Sequence, residues 1–341
     1  MRPPGAPTAP PGKSSAAGAD SGSGTPAAPG VAAGRPAEPV PVLPPISLNF
    51  SFVVGLSQRG GAVNGVAFSP SGQLVATAGP DVTVGIWDAK SGRQIHKMRG
   101  HTAAVLGVAF TGDGSRVASA SQDRTVRIWS ASAGTQETVL PKESAPVLRV
   151  AFSPDGQILV TSLGDGRIRL WEAGSGSPLQ DLSGHNGPVF AIAFSPSGRT
   201  LVSGGRDGTV RLWEVASGAE RASLRGHSGP VASVAVSPDG RWVASAGNDG
   251  VRVWEAASGR ETATLSGGSG SFDAVAFGPD GRWVVAGGAD KVLRAWELPS
   301  GREIVSLERH LFGITSLALN PAGRWLASSD SGGNVMLWRW R

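Results

Sequence analysis

The residues with the clearest potential for chemistry are a serine, a histidine and an aspartate that recur together along the chain. In one copy His101 precedes Ser119 by 18 residues, and Asp123 follows Ser119 by four. Such a set can perform nucleophilic catalysis, because the imidazole removes the hydroxyl proton while the carboxylate orients the imidazole. The same side chains can instead form a buried hydrogen-bonded network between strands. The number of copies along the chain separates these alternatives.

The chain repeats one phrase that ends in tryptophan. Seven tryptophans are spaced by 42, 42, 42, 41, 42 and 42 residues. They are Trp87, Trp129, Trp171, Trp213, Trp254, Trp296 and Trp338. Short alternating apolar runs separated by Gly, Pro, Asp and Ser precede each tryptophan, a pattern typical of β-strands and tight turns. The period is typical of the four-stranded blades of a β-propeller.

These repeats resemble those of the WD40 family, over about residues 57–341. Trp-Asp at residues 87–88 is followed by Trp-Glu in four later repeats. Gly-His dipeptides mark three repeats, at residues 100–101, 184–185 and 226–227. The resemblance implies an all-β fold, a seven-bladed propeller with four strands in each blade. A single blade exposes both faces of its sheet, so we expect seven blades to close a ring over residues 46–341.

The last repeat is too short to make a full blade. It ends three residues after Trp338, whereas the other repeats continue and form an outer strand. The run "NFSFVVGLS", Asn49 to Ser57, is strand-like and belongs to no repeat, so we predict that it completes the seventh blade and covers an exposed sheet edge. Deleting residues 1–45 should leave thermal unfolding unchanged. Deleting residues 1–57 should give an insoluble or molten product, and equal melting of both shortened chains would contradict this closure.

Residues 1–45 differ in composition from the rest. They contain twelve of the 25 prolines and seven glycines, and Met1 and Val31 are the only large apolar residues before Val40. Such a segment cannot bury enough surface to offset the entropy of ordering, so we expect a disordered tail. It has no apolar run of the secretory type, and the chain has no run of 18 apolar residues, so we expect a soluble, cytoplasmic protein.

The net charge of +5 gives no indication of nucleic-acid binding. The 31 basic and 26 acidic residues are spread along the chain, with no basic cluster interleaved with aromatic residues. Cysteine is absent, so neither a disulfide framework nor a thiolate metal site can form. Only five of the basic residues are lysine, a composition typical of a GC-rich genome, and we expect a bacterial source. We expect no nucleic-acid or membrane partner.

The family resemblance implies that each Ser/His/Asp set joins its tryptophan in a structural tetrad. The aspartate would accept from the imidazole, whose other nitrogen meets the serine hydroxyl, and the hydroxyl would face the indole N–H. The complete tetrads are His101, Ser119, Asp123, Trp129; His185, Ser203, Asp207, Trp213; and His227, Ser245, Asp249, Trp254. An active site needs one nucleophile with its own oxyanion hole, whereas this set recurs three times, so we expect scaffolding.

Four repeats depart from the tetrad, and we expect their blades to be less rigid. The histidine position in repeats 1, 3 and 6 holds Arg59, Glu143 and Gly268. The aspartates persist there as Asp81, Asp165 and Asp290. Repeat 6 also has Ala286 in place of the serine. Repeat 7 keeps His310, Ser328 and Trp338 but has Gly332 where the aspartate is expected.

Partners of the family commonly bind the top face, which the loops of the tetrads and the starts of the inner strands form. The resemblance places ten candidate binding residues there: Asn64, Leu106, Gln122, Leu148, Phe190, Arg206, Ala232, Asn248, Asp273 and Thr315. Phe190 beside Arg206 is the best anchor, because aromatic residues and arginine dominate interfaces. Alternatively, Phe190 only lines the channel. The opposite face collects a moderately basic rim of Arg93, Arg241, Arg260, Arg282, Arg302 and Arg324.

These observations favour a non-catalytic scaffold that docks protein or peptide partners as a monomer, without a cofactor or metal. Bacterial proteins resembling this one often carry propellers beside kinase or other signalling domains, so we expect a role in signalling. The alternative is a propeller-based enzyme or small-ligand binder that uses the central channel. It would need convergent titratable groups, and among the mapped inner-strand positions only Asp273 is titratable. The sequence contains no HExxH, Walker or nucleophile-elbow motif.

Overall fold

The computed structural model describes residues 46–58, 60–320 and 324–341. Over these residues the chain forms 28 β-strands in seven four-stranded sheets and no helix, so no helix within these ranges could cross a membrane. The predicted tail, residues 1–45, and Arg59 lie outside the described residues. The prediction of an all-β, seven-bladed propeller is confirmed.

Each of the first three blades takes four consecutive strands. Blade 1 contains β2 (Gly65–Phe68), β3 (Leu74–Ala78), β4 (Thr83–Asp88) and β5 (Gln94–Arg99). Blade 2 contains β6 (Val105–Phe110), β7 (Arg116–Ser121), β8 (Val126–Ser130) and β9 (Gln136–Val139). Blade 3 contains β10 (Val147–Phe152), β11 (Ile158–Leu163), β12 (Ile168–Glu172) and β13 (Pro178–Leu182).

The next three blades follow the same plan. Blade 4 contains β14 (Val189–Phe194), β15 (Thr200–Gly205), β16 (Thr209–Glu214) and β17 (Glu220–Arg225). Blade 5 contains β18 (Val231–Val236), β19 (Trp242–Gly247), β20 (Gly250–Glu255) and β21 (Glu261–Leu265). Blade 6 contains β22 (Phe272–Phe277), β23 (Trp283–Gly288), β24 (Val292–Glu297) and β25 (Glu303–Glu308).

Blade 7 joins the two ends of the propeller. It contains β26 (Ile314–Leu319), β27 (Trp325–Asp330), β28 (Asn334–Trp340) and, as its outer strand, β1 (Phe50–Ser57). The strand β1 pairs antiparallel with β28, from Phe50 opposite Trp340 to Ser57 opposite Asn334, with a bulge between Phe52 and Val54. The predicted closure by the N-terminal segment is therefore confirmed.

The apolar core is divided among the seven interfaces between neighbouring blades, one cluster to each. The interface that closes the ring packs Leu56 and Leu337 of blade 7 against Val63 and Val75 of blade 1. Burying these side chains removes apolar surface from water that an isolated blade would expose. The ring therefore holds together through the same kind of contact at its closure as elsewhere.

The antiparallel order within each blade assigns every loop to one of two faces. The loops between blades and the loops between the second and third strands share one face, here called the top face. The remaining turns share the other, here called the opposite face. The tetrad histidines and aspartates stand in top-face loops, and the Pro-Asp-Gly turns, such as Pro154 to Gly156, stand on the opposite face. Gly156 adopts a φ of 70°, which a residue with a Cβ rarely adopts.

Candidate functional site

The tetrad residues of blades 2, 4 and 5 lie in hydrogen-bond contact with one another. In blade 4, the Nδ1 atom of His185 lies 3.1 Å from Oδ1 of Asp207, and its Nε2 atom lies 2.7 Å from Oγ of Ser203. The indole N–H of Trp213 donates to the same Oγ at 2.8 Å. Blades 2 and 5 repeat these contacts with their own residues. Each network ties a top-face loop to two strands of its blade.

The contacts of blade 4 indicate which nitrogen of the neutral His185 imidazole carries the proton. Ser203 Oγ accepts from the indole and donates to Nε2, so the neutral imidazole of His185 carries its proton on Nδ1 and donates it to Asp207. Burial lowers the pKa of His185 below its usual value, although Asp207 acts in the opposite direction. Burial alone would raise the pKa of Asp207, but hydrogen bonds from Asn186 N–H and Thr209 outweigh it and lower the pKa to about 2.

The connectivity is that of a catalytic triad, but the serine is not placed to act. The side chains of Ser119, Ser203 and Ser245 are fully buried. Each hydroxyl is also engaged by both an imidazole and an indole. A nucleophile must instead reach a substrate carbon and have donors for the developing oxyanion. These serines are structural links.

Blade 7 corrects one sequence-based expectation, since it has a complete tetrad. The carboxylate comes from Asp330, two residues before the expected position at Gly332. Its Oδ2 lies 2.9 Å from Nδ1 of His310, whose Nε2 lies 2.6 Å from Oγ of Ser328. Trp338 donates to that Oγ at 2.8 Å. The expectation that four blades lack the network was wrong for this blade.

The register explains how Asp330 reaches the histidine. Asp330 ends β27 opposite Ile314, the position that Gly205 occupies opposite Val189 in blade 4. A Cβ on Gly205 would lie 2.4 Å from Nδ1 of His185, so this strand end points directly at the imidazole. In blade 7 the residue at this strand end, Asp330, supplies the carboxylate that binds the imidazole. In blade 4 the strand ends in Gly205, which has no side chain, and the carboxylate of Asp207 in the following turn binds the imidazole instead.

Blades 1 and 3 build other polar networks at the same place. In blade 1, Thr77 accepts from Trp87 at 2.8 Å, and Gln58 donates to Asp81 at 2.7 Å. Lys97 pairs with the same carboxylate at 3.1 Å. In blade 3, Thr161 accepts from Trp171 at 3.0 Å, and buried Glu143 pairs with Arg169 at 3.2 Å. Threonine replaces serine, and a different polar side chain replaces the imidazole.

Blade 6 fills the position of the imidazole with an arginine. The guanidinium of Arg294 pairs with Asp290 at 2.5 Å, and both side chains are largely buried. A Cβ on Gly268 would lie 2.0 Å from the Asp290 carboxylate and 2.7 Å from Cζ of Arg294. Glycine at the histidine position therefore makes room for the guanidinium. The expectation that blades 1, 3 and 6 are less rigid ignored these substitute networks.

The starts of the inner strands converge on one cavity of about 470 Å³ at the top face. It receives a residue from six of the inner strands, and Asn64 directly before the seventh, β2, so it is the mouth of the central channel. Eight of the ten candidate binding residues line it: Asn64, Leu106, Leu148, Phe190, Ala232, Asn248, Asp273 and Thr315. Gln122 and Arg206 do not line this cavity; both are exposed in top-face loops. The predicted pairing of Phe190 with Arg206 is absent from its lining.

Two of the candidates hold neighbouring blades together. Asn64 of blade 1 donates from Nδ2 to the carbonyl of Val105 in blade 2, at 2.9 Å. Thr315 of blade 7 donates to the carbonyl of Val63 in blade 1. Their polar atoms are therefore engaged within the ring. Leu106, Leu148 and Phe190 contribute apolar surface to the mouth.

The sequence reasoning missed two groups of residues at the top face. Arg149 lines the mouth beside Leu148, so Asp273 is not its only titratable group. Leu311 and Phe312 stand in the loop between blades 6 and 7 with exposed fractions of 73% and 47%. The apolar pair "LF" after the His310 loop position was the available sequence signal, since the other repeats with a histidine have Thr-Ala, Asn-Gly or Ser-Gly there.

Burial raises the pKa of Asp273, and a hydrogen bond from Ser271 at 3.4 Å acts only weakly against it. The other charged group of the mouth is Arg149, on blade 3. One carboxyl group and one guanidinium thus face a space with a mostly apolar lining. This arrangement can orient a ligand that combines apolar and charged groups.

The opposite face has a second cavity of about 520 Å³ between blades 4 and 5. Both charged side chains that line it have partners: Arg221 donates to Thr200, and Asp239 accepts from Ser237. The basic rim is also partly engaged, because Arg302 pairs with Glu297 and Arg241 stacks over Trp242. Among the described residues no group of three His, Asp or Glu side chains could hold a metal ion.

Comparison with known proteins agrees with this architecture. A family model described as the IFT122 first β-propeller matches residues 146–340, which span blades 3 to 7. A second model, described as WD domain, G-beta repeat, matches residues 52–88 and 92–130. No curated protein matches the chain.

Proposed function

Because the chain belongs to the family of WD40-repeat β-propellers, which generally mediate protein–protein interactions, we propose that it is a non-catalytic scaffold that docks a protein or peptide on its top face. It acts as a monomer in this proposal, since β1 pairs with β28 and gives blade 7 the same four strands as the other blades. The signalling role, the cytoplasmic location and the bacterial source stay predictions from resemblance and composition.

The observation that carries the proposal is a group of accessible apolar side chains on the top face. Leu106, Leu148 and Phe190 line the channel mouth, and Leu311 and Phe312 project from a loop of the same face. Apolar side chains exposed together on a top-face loop cost hydration free energy unless a partner covers them. Large side chains at the centre of a contact surface are also the residues that dominate binding energies.

Leu311→Ser tests the proposal, with Leu179→Ser as its matched control. Leu179 is also an exposed leucine, at 54%, but lies on the outer strand β13 of blade 3. Both tagged variants and the wild type are recovered from cells of the native organism, and the co-purifying proteins are quantified by mass spectrometry. We expect Leu311→Ser to reduce recovery of a specific partner about tenfold, the equivalent of about 1.4 kcal/mol.

Leu179→Ser should leave that recovery unchanged. Equal recovery with both variants would overturn docking on the top face. A partner lost only from Leu179→Ser would move the interaction to the rim of the blades.

A further inference from the structure

One position of the inner strands carries a large side chain in a single blade. In six blades it follows the bulged residue at the start of the strand, in blade 1 it follows Asn64, and blade 3 has Arg149 there. The equivalent residues of the other blades are small: Gly65, Gly107, Ala191, Ser233, Ala274 and Ser316. An arginine among small residues introduces a charge that the packing of the ring does not require.

Neighbouring backbone holds the guanidinium of Arg149 in place. Its Nη1 atom donates to the carbonyl of Leu106 at 3.0 Å and to that of Leu148 at 2.9 Å. A Cβ on Gly107 would lie 3.3 Å from Cα and 3.5 Å from Cδ of Arg149, so the missing side chain of blade 2 makes room for the arginine stem. The group is anchored by one nitrogen, while Nε and Nη2 make no hydrogen bond to the described residues.

Arg149 lacks a counter-ion among the described residues, unlike most of the partly buried arginines of the ring; Arg127 also lacks one and donates to Gln136 instead. Arg169, Arg211, Arg252 and Arg294 each pair with at least one carboxylate within 4.0 Å. No carboxylate of the described chain lies within that distance of Arg149. Burial alone lowers the pKa of Arg149, and no acidic group offsets it. Partial burial of a cation without an anion is costly, and an anionic ligand would reduce that cost.

We propose that Arg149 recognises an acidic side chain, Glu or Asp, that a protein partner inserts into the channel mouth. This rests on the proposed docking function and names the chemistry of the partner. The free nitrogens of a guanidinium match the two oxygens of a carboxylate. Leu106, Leu148 and Phe190 receive the apolar part of the inserted segment. Asp273 lies on blade 6 of the same cavity and favours a hydrogen-bond donor of the partner there.

Two immobilised libraries of random heptapeptides test this inference. They are identical except that the central residue is Glu in one and its uncharged isostere Gln in the other. The full-length protein is applied to both, and bound protein is quantified. We expect at least fivefold more wild-type protein on the Glu library. Arg149→Met should abolish the preference, Arg149→Lys should retain part of it, and the control Arg241→Met, on the opposite face, should retain all of it.

Each other outcome overturns the inference. Equal binding to both libraries, or a preference for the Glu library that persists in Arg149→Met, would show that Arg149 does not bind a carboxylate. Loss of the preference in 10 mM inorganic phosphate, with phosphate binding to the wild type and not to Arg149→Met, would assign the site to a small anion. Because the Leu311→Ser experiment uses native partners, docking stands if that experiment succeeds and the library experiment fails. Circular dichroism and thermal unfolding verify that Arg149→Met is folded.

Discussion

Four blades of the ring, blades 2, 4, 5 and 7, fasten their top-face loop with a histidine, and three do not. In blade 4 the imidazole of His185 links Asp207 to Ser203. In blade 6 the guanidinium of Arg294 occupies the same place. The loop and the strands present unsatisfied polar groups in either case, and any side chain that satisfies them holds the loop. The fold requires a polar network at this place, and side chains of several types can form it.

The comparison also shows where the blades are free to differ. Beneath the loops of every blade, a buried tryptophan or a carboxylate has a hydrogen-bond partner. At the channel mouth the residues instead vary in size and charge, from Ala232 to Phe190 and Arg149. Variation beneath the loops is constrained by hydrogen-bond geometry. Variation at the mouth changes apolar surface and charge without altering the sheets, which is what a selective docking surface needs.

Among substitutions in these networks, Asp330→Ala should cause the largest loss in the free energy of unfolding. Asp330 is fully buried and accepts from His310, Gly332 N–H and Asn334. Removing its carboxylate leaves these donors without a partner, so we expect the free energy of unfolding to fall by about 3 kcal/mol. Urea denaturation measures this, with Asp280→Ala in an exposed turn as the control. A loss below that of the control would show that blade 7 does not need its carboxylate.

Asp207→Ala should have the next largest effect. It orphans His185 and the N–H of Asn186, but the side chain of Asp207 is partly accessible, so water can replace some of the contacts. We expect a loss of about 2 kcal/mol in the free energy of unfolding. Asp239→Ala, on the opposite face, is the control. An unchanged thermal scan for Asp207→Ala would remove the structural role of the tetrad in blade 4.

Gln58→Ala should have a smaller effect in blade 1, where no imidazole is involved. Asp81 keeps Lys97 and Thr83 as partners when the Gln58 amide is removed. We therefore expect a loss of about 1 kcal/mol. Denaturation curves for Gln58→Ala and Asp207→Ala under the same conditions show how much the loss in the free energy of unfolding differs between a blade without a histidine and a blade with one. A larger loss for Gln58→Ala would reverse the ranking.

The histidine blades should also give the ring a pH dependence. Burial lowers the pKa of His101, His185 and His310 in the folded protein, so the unfolded chain binds more protons below the usual imidazole pKa of about 6.5. The free energy of unfolding should therefore fall as the pH is lowered from 7 to 5. Stability that is flat or rising over that range would contradict neutral, buried imidazoles.

Glu143 of blade 3 should act in the opposite direction. Burial raises its pKa, against the attraction of Arg169, so its protonation favours the folded state as the pH falls through the folded pKa. Glu143→Gln removes this compensation, and stability should fall more steeply on acidification in the variant. Parallel pH profiles for the variant and the wild type would show that Glu143 does not titrate as described.

The period of the tryptophans and the WD40 resemblance together predicted seven blades, and the short final repeat predicted their closure. Each tryptophan fixes the third strand of a blade, and the short final repeat requires an added strand, which β1 supplies. Three tetrads were predicted as well, because the family resemblance places their residues and the spacing differs by only one residue, between Asp249 and Trp254. Asp330 was missed since its carboxylate approaches His310 from the strand end, and a fixed spacing from Trp338 points to Gly332 instead.

The chemistry of the mouth was predicted less completely. The family resemblance mapped Leu148 of this strand to the channel and not Arg149, which a regular strand would direct to the opposite side of the sheet. A bulge between Val147 and Arg149 breaks this alternation and lets both residues line the cavity. The exposure of Leu311 depends on packing between blades that a linear pattern does not describe.

Photo-crosslinking tests the central claim, that the top face docks a protein, most directly. A benzophenone amino acid replaces Leu311 in one chain and Leu179, exposed on an outer strand, in the other, and both are irradiated in cells of the native organism. The account predicts a discrete protein adduct from position 311 and none from position 179. An adduct from position 179 alone, or none from either position, would contradict it.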